Sequence, residues 1–128
     1  MIDDMGILRT TIWIAHPARP GDRRELLDVM VDTGSEYNWI PRRILEELAV
    51  MADRTERFET ADGRILVRDV GLALVSAGGR TMGSVVTFAE PGDLTLLGAI
   101  GLESLNLRVD LARRELVPAG PLPVAPAA

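Results

Sequence analysis

The sequence predicts a mainly all-β fold with one or two short helices, built as a single lobe. Most of the chain alternates between short runs of β-branched and aliphatic residues and turn-forming dipeptides, as strands joined by tight turns do. Only the segment after Pro41 spaces its apolar residues as a helix does. The length of 128 residues favours one domain with a genuine core, and because cysteine is absent this core forms without disulfides.

The first two thirds of the chain are predicted to contain two strands, a short helix and two hairpins. Residues 7–15 and 23–31 are predicted strands, and the second runs into the polar turn Asp32-Thr-Gly-Ser35. Pro41 suits the first position of a short helix, since apolar residues follow it at helical spacing. Between residues 55 and 88, two tight-turn dipeptides, Asp62-Gly63 and Gly78-Gly79, predict two hairpins.

The C-terminal third predicts shorter elements. Residues 93–98 resemble a strand that enters a glycine, residues 102–107 include a helical turn, and residues 115–117 form a last strand. Residues 118–128 hold four prolines among alanine and glycine, so we expect a disordered tail there. The expected domain therefore spans residues 1–117.

Absent residue types exclude several kinds of chemistry. The chain has no cysteine and no lysine, which excludes thiol nucleophiles, Schiff-base lysines and a P-loop. A zinc site with several histidines is excluded within one subunit because His16 is the only histidine. Carboxylates remain for acid–base catalysis, and we expect neither a metal nor another cofactor.

The charge pattern limits the kinds of binding partner that we expect. The net charge is -5 and the arginines are scattered, which argues against nucleic acid as a partner. The first six residues carry Asp3 and Asp4 instead of basic residues, and no uncharged apolar run approaches the length of a membrane span. We therefore expect no membrane partner and a cytoplasmic location.

The strongest candidate site is the turn that follows the second predicted strand. A half-buried carboxylate at Asp32 needs hydrogen-bond donors, which the hydroxyls of Thr33 and Ser35 and the turn amides can supply, while Gly34 allows close approach of the backbone. The tripeptide alone is equally consistent with an ordinary surface turn.

The surrounding sequence resembles the retropepsin-like aspartic peptidases, the retroviral proteases and their bacterial relatives, and the chain is interpreted as a bacterial single-domain member. The similarity runs from about Arg23 to Val117 and rests on five features in the family's order: Val31-Asp-Thr-Gly-Ser35, Ile40-Pro41, Ala61-Asp-Gly63, Gly78-Gly79, and Leu96-Leu-Gly98 before Leu102-Glu103 and Asp110. The resemblance implies a closed acid-protease-type barrel.

The resemblance also implies the activity, an aspartic endopeptidase that cleaves a protein or peptide substrate. That chemistry uses two carboxylates, one as general base and one as general acid. Because the chain carries one Asp-Thr-Gly, a homodimer with Asp32 from each subunit is implied.

By resemblance, Thr33 braces the two turns across the dimer axis, Gly34 and Gly98 permit close packing of loops, and Ser35 donates to the aspartate. Ala61, Asp62 and Gly63 lie in the candidate flap that closes over the substrate; a plain surface hairpin is the alternative. Tyr37 and Trp39, just after the turn, are candidates to line substrate pockets, but an aromatic residue near a helix start is more often a core residue, and we expect Trp39 in the core.

The sequence departs from the retroviral pattern after Gly98. Retroviral members usually have arginine at the position of Ala99, paired with an acid at the position of Glu36. This loss, together with termini of different length, puts the tightness of the dimer in doubt, and residues 115–117 are the candidate interface strand.

Two other functions remain open. A noncatalytic dimeric module of the same fold would bind peptides without cutting them. A small β-rich ligand-binding domain would carry the Asp-Thr-Gly turn by accident and would be a monomer. Replacement of Asp32 discriminates among the three functions, because only the peptidase would lose turnover and keep its fold and dimer.

Overall fold

The computed structural model describes residues 7–126. In chain order, its elements are β1 (Arg9–Ala15), β2 (Arg23–Val31), β3 (Asn38–Pro41), α1 (Arg42–Glu47), β4 (Ala52–Glu59), β5 (Ile65–Ala77), β6 (Arg80–Ala89), β7 (Leu96–Leu97), α2 (Ala99–Leu105), β8 (Leu107–Asp110) and β9 (Glu115–Pro118). The predicted β fold with two short helices is confirmed.

Seven strands form one sheet that closes on itself. Their order is β1-β2-β7-β3-β6-β5-β4, and β1 pairs in addition with β5, where Ile14 lies opposite Val75. This second pairing joins the two sides of the sheet into a barrel. Among the described residues β4 pairs only with β5, so the hairpin of these two strands extends from the barrel as an arm. The closed barrel implied by the resemblance is confirmed.

The hydrophobic core of the barrel is aliphatic apart from Phe88 and includes residues at the ends of the strands that lead to the candidate site. Val31 at the end of β2 and Leu97 at the end of β7 are both buried, and they lie opposite each other in a parallel pairing. Each buried side chain of this size contributes about 1.5–3 kcal/mol. The loops that follow β2 and β7 therefore leave the core side by side.

Two elements differ in detail from their predictions. The strand predicted at residues 93–98 keeps only Leu96 and Leu97, because Asp93 closes a turn in which Glu90 N donates to its Oδ2 at 2.8 Å. Pro41 ends β3 in an extended conformation, with φ -51° and ψ 130°, and α1 begins one residue later.

The C-terminal strands form a separate antiparallel ribbon. Within residues 7–126, β8 and β9 pair only with each other. Beyond them, residues 119–126 contain neither helix nor strand, yet Ala119 N donates to Asn106 O and Asn106 Nδ2 donates to Gly120 O, both at 2.9 Å. The disordered tail at 118–128 and the domain bounds 1–117 stay predictions, and residues 1–6, 127 and 128 lie outside the described residues.

Candidate active site

The Asp32 turn, residues 32–35, begins where β2 ends. Asp32 N donates to Leu97 O at 2.9 Å, which continues the pairing of β2 with β7. Within the turn, Gly34 N donates to Asp32 Oδ1 at 2.9 Å and Ser35 Oγ donates to Asp32 Oδ2 at 3.3 Å. Both carboxylate oxygens thus accept a hydrogen bond, and the orientation of the carboxylate is fixed.

The turn presents this carboxylate at the protein surface. Asp32 is half-buried, whereas Thr33 and Gly34 are exposed. A Cβ added at Gly34 would lie 3.2 Å from Asp32 Oδ1, so glycine leaves the space beside the carboxylate open. The bracing of Thr33 across a dimer axis would be a contact between subunits and stays a prediction.

The Gly98 loop, by which we mean residues 97–100 from the end of β7 to the start of α2, lies directly against the Asp32 turn. Ala99 N donates to Ser35 O at 2.7 Å, and Ile100 N donates to Glu36 O at 2.9 Å. A Cβ added at Gly98 would lie 2.7 Å from Tyr37 C and 2.8 Å from Ser35 O, which is closer than real Cβ atoms approach such groups. The structure therefore places Gly98 beside Asp32 and Ser35, and the space at position 98 admits only glycine.

Asn38 binds the Gly98 loop through its side chain and was not predicted from the sequence. Its side chain is fully buried; Oδ1 accepts a hydrogen bond from Gly98 N at 3.0 Å, and Nδ2 donates to Ser84 Oγ and Val85 O. The available signal was a polar residue inside the short run Asn38-Trp-Ile-Pro41. That signal is weak, because asparagine is equally common in turns.

The candidate flap is the tip of the β4–β5 hairpin. Thr60 N donates to Arg64 O at 2.8 Å, and Gly63 adopts a φ of 84°. Hydrogen bonds from the Thr60 hydroxyl and from Arg64 lower the pKa of the exposed Asp62. Ala61, Asp62 and Gly63 are all exposed. In the described part of the chain, the hydrogen bonds of this tip stay within residues 60–64, so the structure does not bring the tip onto Asp32.

Aromatic rings hold the hairpin arm against the segment after the Asp32 turn. The Phe58 ring on β4 lies 4.9 Å from the Trp39 ring and 5.8 Å from the Tyr37 ring, both edge-on. Arg54 Nη2 donates to the Tyr37 hydroxyl at 3.3 Å. The expectation that Trp39 is a core residue is wrong: Trp39 is half-buried because its ring packs on the arm rather than inside the barrel.

Ion pairs fix the base of the same arm. Arg68 on β5 binds Asp93 through two hydrogen bonds of 2.7 and 2.9 Å, and the two side chains are only 18% and 13% exposed. This pairing lowers the pKa of the Asp93 carboxyl. Arg42 at the start of α1 binds both Glu90 and Asp69, which raises the pKa of its guanidinium. The arm is therefore joined to α1 and to the turn before β7.

The described residues lack the features of two other kinds of site. Within residues 7–126, no three His, Asp or Glu side chains lie close enough together to hold a metal ion. In the same range, no helix is long and apolar enough to cross a membrane.

The fold and this site define a class of protein: a single-lobed acid-protease barrel with one Asp-Thr-Gly turn braced by a glycine loop. Residues 18–103 match the family model described as aspartyl protease, and the chain therefore belongs to that family. The match includes both the Asp32 turn and the Gly98 loop, and it ends before β8. That the chain is a bacterial member stays a prediction.

A solved structure supports the fold. The solution structure of the simian foamy virus (mac) protease matches with a TM-score of 0.51 and 20% sequence identity, over 74% of this chain and 91% of that chain. At this identity the likeness shows the shared fold alone. No curated protein matches the chain in sequence.

Proposed function

We propose that this member of the aspartyl protease family is an endopeptidase that works as a homodimer with one Asp32 from each subunit. The observation that carries the proposal is the Asp32 carboxylate, held by Gly34 N and Ser35 Oγ in a turn that packs on the Gly98 loop. Its substrates would be extended, largely apolar segments of proteins or peptides.

The mechanism assigns one role to each carboxylate of the pair. The ionised Asp32 removes a proton from a water molecule, whose oxygen attacks the peptide carbonyl carbon. The protonated Asp32 of the other subunit gives its proton to the carbonyl oxygen. The C–N bond of the resulting tetrahedral intermediate then breaks as the nitrogen takes up the proton that the first carboxylate removed from water. The second carboxylate takes a proton back from a hydroxyl of the intermediate, which restores the starting pair. Because one carboxylate must be ionised and the other protonated, a bell-shaped pH–rate profile is expected.

The dimer is the part of the proposal that supplies the second carboxylate. One chain carries a single Asp-Thr-Gly, and a two-fold axis beside Asp32 would pair it with its copy about 3 Å away. The β8–β9 ribbon lies outside the main sheet and has unpaired outer edges within residues 7–126. We assign β9 (Glu115–Pro118) to the dimer interface, since such edges can pair with a second copy.

Substrate would be covered by the β4–β5 arm. Its tip at Ala61, Asp62 and Gly63 is exposed and held only by bonds within residues 60–64, whereas the strands behind the tip are fixed by the Phe58 contact with Trp39 and by the Arg68–Asp93 pair. A hairpin with a free tip on fixed strands can move that tip over an extended peptide and add backbone hydrogen bonds to it.

The test compares wild type with Asp32→Asn on a diverse peptide mixture, from about pH 4 to 7.5, with mass spectrometry as the readout. Cleavage by wild type alone is expected, with both proteins dimeric in sedimentation experiments. If neither protein cleaves at concentrations where both are dimeric, the endopeptidase is excluded in favour of the noncatalytic peptide-binding module. The cytoplasmic location stays a prediction that cell fractionation tests.

A further inference from the structure

Asn38 is buried in a way that requires every polar atom of its side chain to be matched. A buried amide without partners is costly, so its contacts fix its orientation. Oδ1 faces the donor Gly98 N at 3.0 Å, and Nδ2 faces the acceptor Val85 O at 3.0 Å. Only this orientation satisfies both groups, because reversing the amide would place donor against donor and acceptor against acceptor.

The contact with Gly98 holds the part of the Gly98 loop that touches the Asp32 turn. Leu97 O accepts from Asp32 N, and Ala99 N donates to Ser35 O. Gly98 N, between them, is held by the Asn38 side chain instead of by the turn backbone. The position of Asn38 therefore sets how far the middle of the loop lies from the turn.

Asn38 is itself held by the rigid part of the barrel. It lies on β3 opposite Val86 of β6, and its Nδ2 also donates to Ser84 Oγ at 2.9 Å. Ser104 on α2 donates to Ile100 O at 2.6 Å, and its Oγ lies 3.4 Å from Ser84 Oγ. The network thus joins β3, β6, α2 and the Gly98 loop. A Cβ added at Gly101 would collide with Asn38 Oδ1, so the amide has no space in which to move.

We propose that Asn38 is a positioning residue for catalysis, which fixes the Gly98 loop and through it the height and angle of the Asp32 carboxylate. The inference rests on the proposed peptidase function. Asn38 has no direct contact with the carboxylate. Its effect is expected on turnover, since a small displacement of a catalytic group reduces the rate of the chemical step more than it reduces binding.

The main test is Asn38→Leu, which keeps the branched shape of the side chain and removes its hydrogen bonds. We expect kcat per folded dimer to fall about 10- to 100-fold, with KM changed less than about threefold. The stability-matched control is Leu48→Ala, a buried residue after α1 without a hydrogen bond to either loop. The second control is Thr87→Val, whose buried hydroxyl has no hydrogen-bond partner among the described residues. Both should keep the wild-type kcat per folded dimer.

Equal kcat values for folded Asn38→Leu and Leu48→Ala would overturn the proposal and reduce Asn38 to a structural residue. If Asn38→Leu does not fold, Ser84→Ala replaces it, because that change removes one acceptor of Nδ2. It should lower kcat about two- to tenfold, and an unchanged kcat would overturn the proposal.

A measurement without turnover separates this inference from the proposed function. Hydrogen exchange of the Gly98, Ala99 and Ile100 amides should become about tenfold faster or more in Asn38→Leu, or in Ser84→Ala if the first variant does not fold, with amides of β5 unchanged. An inactive wild type with this exchange pattern would reject the peptidase and keep the positioning by Asn38. Unchanged exchange at Gly98 would reject the positioning whatever the activity.

Discussion

At the scale of single residues, Ser35 controls the environment of one oxygen of the candidate catalytic carboxylate. Its hydroxyl donates to Asp32 Oδ2 at 3.3 Å. This hydrogen bond restrains the carboxylate, so Ser35→Ala should lower kcat/KM about two- to tenfold. A peptide assay measures the change. Ser76→Ala, which changes a buried serine that is bonded to Thr81, should leave kcat/KM unchanged.

Among the described glycines, Gly98 has the least space for an added Cβ. An added methyl group would lie 2.8 Å from Ser35 O and still closer to the Tyr37 carbonyl, so Gly98→Ala must separate the Gly98 loop from the Asp32 turn. We expect it to destabilise the fold by about 1–3 kcal/mol and to abolish measurable turnover. Denaturant unfolding and a peptide assay check both effects.

The control for this change is Gly83→Ala on β6, where the nearest atom to an added Cβ is Leu72 Cδ1 at 3.8 Å. Its free energy of unfolding should stay within about 0.5 kcal/mol of the wild-type value. An active Gly98→Ala protein would show that close contact of the two loops is unnecessary for the site.

Some residues of the candidate site could be predicted from the sequence and others could not. Asp32, Gly34 and Ser35 were predictable because they are adjacent in the chain and form one turn. Asn38 was not, because its burial depends on Val85 and Gly98, 47 and 60 residues away along the chain. The half-burial of Trp39 was missed for the same reason, since it depends on contact with Phe58.

At the scale of elements, the β4–β5 arm depends on the Arg68–Asp93 pair at its base. Arg68 lowers the pKa of Asp93 below its ordinary value, mainly by hydrogen bonding. The pair therefore stabilises the fold fully above the ordinary carboxyl pKa of about 3.9, and this stabilisation is lost as the pH falls through the lower pKa of the folded state. At pH values where peptidase activity is expected, the base of the arm should remain fixed.

Asp93→Asn should accordingly lower the free energy of unfolding by about 2 kcal/mol near neutral pH, and the difference from wild type should shrink below about pH 4. Denaturant unfolding at several pH values measures it. Asp28→Asn, at an exposed position on β2, is the control and should leave stability unchanged at all of them. A difference for Asp93→Asn that stays constant into acid would contradict a role for its charge.

Local turn signals and distant contacts together explain which elements the sequence predicted correctly. The two hairpins were predictable because each is specified by a local dipeptide, Asp62-Gly63 or Gly78-Gly79. The strand at residues 93–98 was predicted too long, because Asp93 binds Arg68 and closes a turn with Glu90 instead of extending. Strand length there is decided by a partner 25 residues away.

At the scale of the whole molecule, closure of the barrel came from resemblance and not from local pattern. The pairing of β1 with β5 joins segments about sixty residues apart, such as Trp13 with Ser76, and no turn dipeptide specifies it. The structure confirms this closure within one chain. Formation of the dimer involves a second chain, and experiments in solution test it.

Mixing experiments test the dimer through activity. If each active site needs Asp32 from both subunits, only about a quarter of the dimers in an equilibrated equal mixture of wild type and Asp32→Asn carry two aspartates. This mixture should keep about one quarter of the activity of pure wild type at the same total protein concentration. A protein active as a monomer would keep about one half under the same conditions. Asp22→Asn, at an exposed position in the loop before β2, is the matched partner and should leave the activity of the mixture at its full value. A linear loss of activity with the Asp32→Asn fraction would therefore contradict a site shared between two subunits.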